Sequence, residues 1–76
     1  MRPTKAGVQS FVTGYTQTDA KGPYLYYPVA EVMLDKLLEK YVGVMCEYKT
    51  RPSGVEELII KTAACKVELC RIRVKR

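Results

Sequence analysis

Apolar and polar positions follow two rhythms along this chain, and the rhythm changes at a proline. The stretch GVQSFVTGYTQ (7–17) is rich in β-branched and aromatic residues. It alternates loosely, with Phe11 and Tyr15 on one side and Val8 and Val12 on the other, which predicts a strand. TDAKGP (18–23) gathers Asp19, Gly22 and Pro23, residues that favour a turn. YLYY (24–27) reads as a second short strand pairing back on the first. Pro28 cannot donate to a sheet ladder, and its fixed φ suits the first turn of a helix, so one residue closes the strand and opens the helix. From there Ala30, Met33, Leu34, Leu37, Leu38 and Tyr41 recur at three- and four-residue steps, predicting a helix over 29–42. Gly43 stands where a C-terminal glycine cap belongs.

Alternation returns in VMCEYKT (44–50), with Val44, Cys46 and Tyr48 inward and Glu47 and Lys49 outward. RPSG (51–54) has the proline and glycine positions of a type I turn, and VEELIIKT (55–62) returns as the second strand of a hairpin, with Leu58 and Ile60 inward. In KVELCRIRVKR (66–76) the apolar parity flips between Leu69 and Cys70, as an extra residue in a β-bulge produces. After the flip Arg71, Arg73 and Lys75 share one face. The predicted fold is therefore a small α+β domain spanning 1–76, strand–strand–helix–hairpin–strand, ending in a basic strand at 66–76.

Composition narrows the function. The 76 residues hold no histidine, which removes the commonest general base and transition-metal ligand. Asparagine is absent too, which fits a heat-adapted, thermophile source. Cys46, Cys65 and Cys70 lack a close C-x-x-C pairing, so they read as small buried hydrophobes, with a disulfide as the alternative and no metal site. No nucleophile–base pair or glycine-rich phosphate loop occurs, so neither an enzyme nor a cofactor is expected. Glu31, Asp35 and Glu39 form a row on the helix, balanced by Lys36 and Lys40, and read as a solvated face. No stretch approaches the ~18 consecutive apolar residues of a membrane span. The N-terminus lacks the apolar run of a signal peptide, so the expected location is cytoplasmic.

The net charge of +5 is uneven: +2 over 1–27, −1 over 28–62 and +4 over 63–76. Basic ends on a neutral middle point to a nucleic acid, with Arg71, Arg73, Lys75 and Arg76 as the main contacts and Lys21 and Lys5 beside them. Side chains two residues apart on one strand face project about 6.6 Å apart, an interval that resembles successive phosphates along one strand.

Residues 8–62, with Asp19 and Gly22 in an Asp-x-x-Gly turn, Pro28 at a strand–helix junction and a hairpin behind, resemble the AbrB-type swapped-hairpin transcription regulators. The resemblance implies an intertwined homodimer that binds double-stranded DNA, in a regulatory or chromatin-like role. Pro23 stands where that family commonly has an arginine, which leaves Lys21 as the phosphate contact near the turn. Two alternatives remain. Tyr24, Tyr26 and Tyr27 could stack on the bases of a single strand of RNA or DNA, Tyr24 and Tyr26 from one face and Tyr27 from the other. Otherwise the chain is a structural or viral interaction subunit whose apolar helix stripe docks a partner protein.

Overall fold

The computed structural model describes all 76 residues. The chain begins with a helix, α1 (Lys5–Thr13), and not with the strand expected over 7–17. Thr4 caps it: its hydroxyl oxygen accepts from the Gly7 N–H at 3.1 Å, and its carbonyl accepts from Val8 N–H at 2.9 Å. The physical reason for the correction lies in the spacing. Val8, Phe11, Val12 and Tyr15 fall at i, i+3, i+4 and i+7, a helical template that also passes for loose alternation when β-branched residues dominate. Val8 and Val12 are buried, and burial of that stripe outweighs the small propensity cost of valine and threonine.

Strands β1 (Gln17–Asp19) and β2 (Gly22–Tyr26) form a tight antiparallel hairpin, so the turn expected over 18–23 contracts to Ala20 and Lys21. The Asp19 side chain accepts from the Lys21 N–H at 2.9 Å, and Gly22 takes φ +109°, a conformation that suits glycine. Helix α2 (Tyr27–Lys40) follows without a linker, with Pro28 in its first turn. Its end differs from expectation: Tyr41 turns extended at φ −113°, and Gly43, with φ +79°, bends the chain into the next strand instead of capping the helix. Strands β3 (Val44–Thr50) and β4 (Glu56–Thr62) make the expected hairpin, closed by a Gly54 N–H to Arg51 carbonyl bond of 2.8 Å.

Strand β5 (Glu68–Lys75) completes one mixed sheet in the order β1-β2-β5-β4-β3, parallel only between β2 and β5. The bulge falls where the parity flip put it. Ile60 pairs with Cys70 and Lys61 with Glu68, leaving Leu69 as the extra residue. Both Leu69 and Cys70 are consequently buried. The result is a single small α+β domain, with a helix in place of the first strand and the hairpin closed by β5 of its own chain.

Both helices pack on one side of the sheet. The core joins Val8 and Val12 of α1, Ala30, Met33 and Leu37 of α2 with Tyr41 beyond it, and Leu25, Leu58, Ile60, Ile72 and Val74 of the strands. Lys40 of α2 lies over the Phe11 ring of α1 at 5.2 Å, whereas Glu31 accepts from Tyr48 Oη of β3 at 3.1 Å. One flank of α2 thus faces α1 and the other faces β3. On that second flank Leu34 is half-buried and Leu38 is 51% exposed, so the helix stripe is wider than this chain's own core covers. The cysteines carry free thiols: Cys70 is buried, Cys46 half-buried, and Cys65 exposed in the turn before β5, which corrects its reading as a buried hydrophobe.

Candidate nucleic-acid interface

The opposite face of the sheet carries no helix, and the ladder parity decides what stands on it. Tyr24 pairs with Arg73 and Tyr26 with Lys75 across β2 and β5. Arg73 then faces Glu57, and Arg71 faces Ile59, across β4. Ile59 in turn faces Glu47, and Glu57 faces Lys49, across β3. Arg71, Arg73 and Lys75 therefore form a continuous row along a central strand, as the sequence predicted, with tyrosines on one side and a mixed charged row on the other.

Charges separate between the two sides of the domain. The open side holds Lys21, Lys49, Arg51, Lys61, Lys66, Arg71, Arg73 and Lys75 against Asp19, Glu47, Glu57 and Glu68, a net +4. The helix side holds Arg2, Lys5, Lys36, Lys40 and Arg76 against Glu31, Asp35, Glu39 and Glu56, a net +1. The ladder thus converts a charge gradient along the sequence into a difference between faces.

The row is not bare. Asp19 bridges two of its members, with Oδ1 2.7 Å from Arg73 Nη2 and Oδ2 2.6 Å from Lys75 Nζ. These two hydrogen bonds, Arg73's first, hold the Asp19 carboxyl well below the usual carboxylate range. Arg73 also donates to the Gly22 carbonyl at 2.8 Å, tying the β1–β2 turn to β5. Arg71 donates to Glu68 at 2.7 Å and to Glu57 at 3.3 Å, and Arg51 reaches the same Glu57 oxygen at 2.8 Å. The Glu68 contact raises the Arg71 pKa and lowers that of Glu68. On β3 and β4, Lys61 pairs with Glu47 at 2.8 Å and lowers its pKa.

The aromatic part is a perpendicular pair. The Tyr24 and Tyr26 rings meet edge to face at 5.2 Å, and Tyr24 Oη donates to Tyr26 Oη at 3.3 Å. That bond, followed by burial, raises the Tyr24 pKa. Lys75 Nζ sits 4.2 Å from the Tyr24 ring centre, so the Tyr24 face is already occupied by a cation. Tyr26, 41% exposed, is the ring on this face open to a ligand. Tyr27 lies on the other side of the sheet, tilted against Tyr48 at 5.8 Å between ring centres and covered by Arg76 at 4.3 Å.

Two clefts border the row. One of about 370 Å³ is lined by Lys21, Arg73, Lys75 and Arg76 together with Thr50 and Glu56. The other, about 610 Å³, opens beside β5 where β2 has turned away, and is lined by Gln9, Thr13, Thr18, Lys21, Arg71 and Arg73 among others. Of the residues predicted from sequence, Arg71, Arg73, Lys75 and Lys21 are brought together, and Arg76 joins them at the cleft while paired with Glu56 at 3.1 Å. Lys5 lies apart, at the start of α1. Lys49, Arg51 and Lys61 also stand on this face and were not singled out from the sequence. The outward parity of Lys49 and Lys61 was readable, but the strand order that brings them onto one face with the β5 row was not, and Arg51 lies in the β3–β4 turn. No three carboxylate or thiol groups converge to hold a metal ion, and no helix is long and apolar enough to cross a membrane. Comparison of the chain with protein-family models, with curated proteins and with solved structures gave no match.

Proposed function

We propose that the protein binds single-stranded nucleic acid across the open face of its sheet. The observation that carries this reading is the segregation of charge, a net +4 on the face without helices against +1 on the other, with the exposed ring of Tyr26 beside the basic row. Phosphates take the cations Arg71, Arg73 and Lys75, with Lys21, Lys49 and Lys61 around them, in partial exchange for Asp19, Glu57 and Glu47. A base stacks on Tyr26.

Size favours a single strand over the duplex that the resemblance implies. Five strands about 4.8 Å apart make a face roughly 19 Å wide, too broad for a major groove of about 12 Å. The outer surface of α2 sets Glu31, Asp35 and Glu39 beside Lys36 and Lys40, with no cationic row to follow the phosphates of a groove. Duplex DNA is therefore the comparison ligand.

The test is fluorescence anisotropy with a labelled oligothymidine, an RNA of equal length and a duplex, each at several salt concentrations. Single strands are expected to bind more tightly than the duplex, with affinity falling as salt rises. Changing Arg71, Arg73 and Lys75 together to glutamine is expected to flatten the log–log salt slope by up to about 2, at ~0.7 for each phosphate the three cations neutralise on a single strand. Equal affinity of the triple variant, with an unchanged slope, would remove this face as the site. Absence of binding to any of the three ligands would remove the function.

A further inference from the structure

We infer that the free edge of β3 is a homodimer interface, at which two copies pair antiparallel through Tyr48 and extend the five-stranded sheet to ten. The edge runs Val44–Thr50 and is the long open edge of the sheet, since β1 at the other end has three residues. Open edges of this length are templates for pairing with a second chain. The side chains beside it are undercovered. On its helix side Val44 and Cys46 are half-buried, Tyr48 is 36% exposed, and Leu38 on the adjacent flank of α2 is 51% exposed.

Charge selects a second copy as the occupant and fixes the register. A two-fold axis perpendicular to the sheet at Tyr48 sets Tyr48 opposite the partner's Tyr48 and Cys46 opposite the partner's Thr50. It also sets Glu47 opposite the partner's Lys49, and symmetry makes that pair twice. Opposite charges directly across a ladder stabilise it, and like charges oppose it. Moving the axis by one residue in either direction puts Glu47 opposite the partner's Glu47, or Lys49 opposite the partner's Lys49. The strand is thus self-complementary in one register, self-repelling when the axis moves to Glu47, and mixed when it moves to Lys49, where Glu47 meets the partner's Arg51 beyond the end of the strand. Because the axis is perpendicular to the sheet, both open faces lie on the same side and form one continuous surface.

Sedimentation velocity without nucleic acid tests the dimer independently of any ligand, so it stands or falls apart from the binding reading. Wild type is expected at twice the chain mass of 8.6 kDa at micromolar concentration. Lys49→Glu, which sets a second carboxylate against the partner's Glu47, is expected at the monomer mass with unchanged circular dichroism. A cysteine pair tests the register. In a Cys46→Ser, Cys65→Ser background, Tyr48→Cys is expected to form a covalent dimer on mild oxidation, since paired Cα atoms lie about 4.5–5.5 Å apart. Glu47→Cys is expected to stay uncrosslinked. A monomeric wild type at all concentrations would overturn the interface, as would crosslinking through Glu47→Cys as readily as through Tyr48→Cys.

Discussion

Replacing Asp19 by asparagine separates two roles that the open face combines in the proposed reading, holding itself together and holding a polyanion. One carboxylate occupies two of the three cations in the basic row, at 2.7 Å from Arg73 and 2.6 Å from Lys75. A phosphate has to displace that carboxylate or share the cations with it. Asparagine keeps the side-chain oxygen that accepts from the Lys21 N–H, so the turn retains its local hydrogen bond while the charge is removed. On a single strand each phosphate neutralised contributes about 0.7 to the salt slope, so freeing one or both cations should steepen it by about 0.7 to 1.4. Affinity at low salt should rise with it. The assay is the same anisotropy titration, run beside the triple glutamine variant, whose slope should move the opposite way.

Stability responds with its own sign. Because its folded pKa is depressed, Asp19 stabilises the fold fully above the ordinary aspartate value of about 3.9, and that contribution is lost as pH falls through the folded value. The melting temperature of Asp19→Asn should therefore lie below that of wild type at neutral pH, and the gap should close on acidification below about pH 4. Weaker binding with a flatter slope would refute the competition argument. Asp19 would then be orienting Arg73 and Lys75 for the ligand, and the face would be preorganised instead of self-inhibited.

Leu25, fully buried between two tyrosines of the opposite face, should cost about 2–5 kcal/mol on truncation to alanine. That is a large share of the roughly 4–11 kcal/mol expected for a domain this small, so chemical denaturation should show a strong loss of stability. Thiol titration with an aromatic disulfide at mildly alkaline pH should label exposed Cys65 first. Cys46, its thiol pushed up to about 11 by burial, should react only slowly until denaturant is added.

Local chemistry was legible where one segment decided its own structure. Pro28 marked the strand–helix junction, the stripe through Met33 and Leu37 marked α2, and the Leu69–Cys70 parity flip marked the bulge. The start of the chain was not legible, because Val8, Phe11, Val12 and Tyr15 satisfy a helical spacing while carrying strand-forming side chains. Only docking of that stripe against β5 resolves the ambiguity, and docking is a tertiary fact. The site divides the same way. The basic row was visible as period-two parity in β5, whereas its partners outside that strand, Asp19 and Glu57, belong to β1 and β4 and carry no local mark of the pairing.

Those partners explain why the row can exist. Arg71, Arg73 and Lys75 stand about 6.6 Å apart on one strand, close enough to repel in a folded chain with no acid between them. Asp19 reaches them from β1, across β2, and Glu57 from the adjacent β4, so the parallel β2–β5 pairing and the β4–β5 bulge register together neutralise a repulsion that the β5 sequence creates. A polyanion offers the same cations a second set of oxygens. Binding is then an exchange of carboxylate for phosphate, and its strength is set by how firmly the acids hold. The pairs through Asp19 and Glu57 are only partly open to water, with side chains 27% and 10% exposed, so salt screens them less than it screens fully exposed pairs.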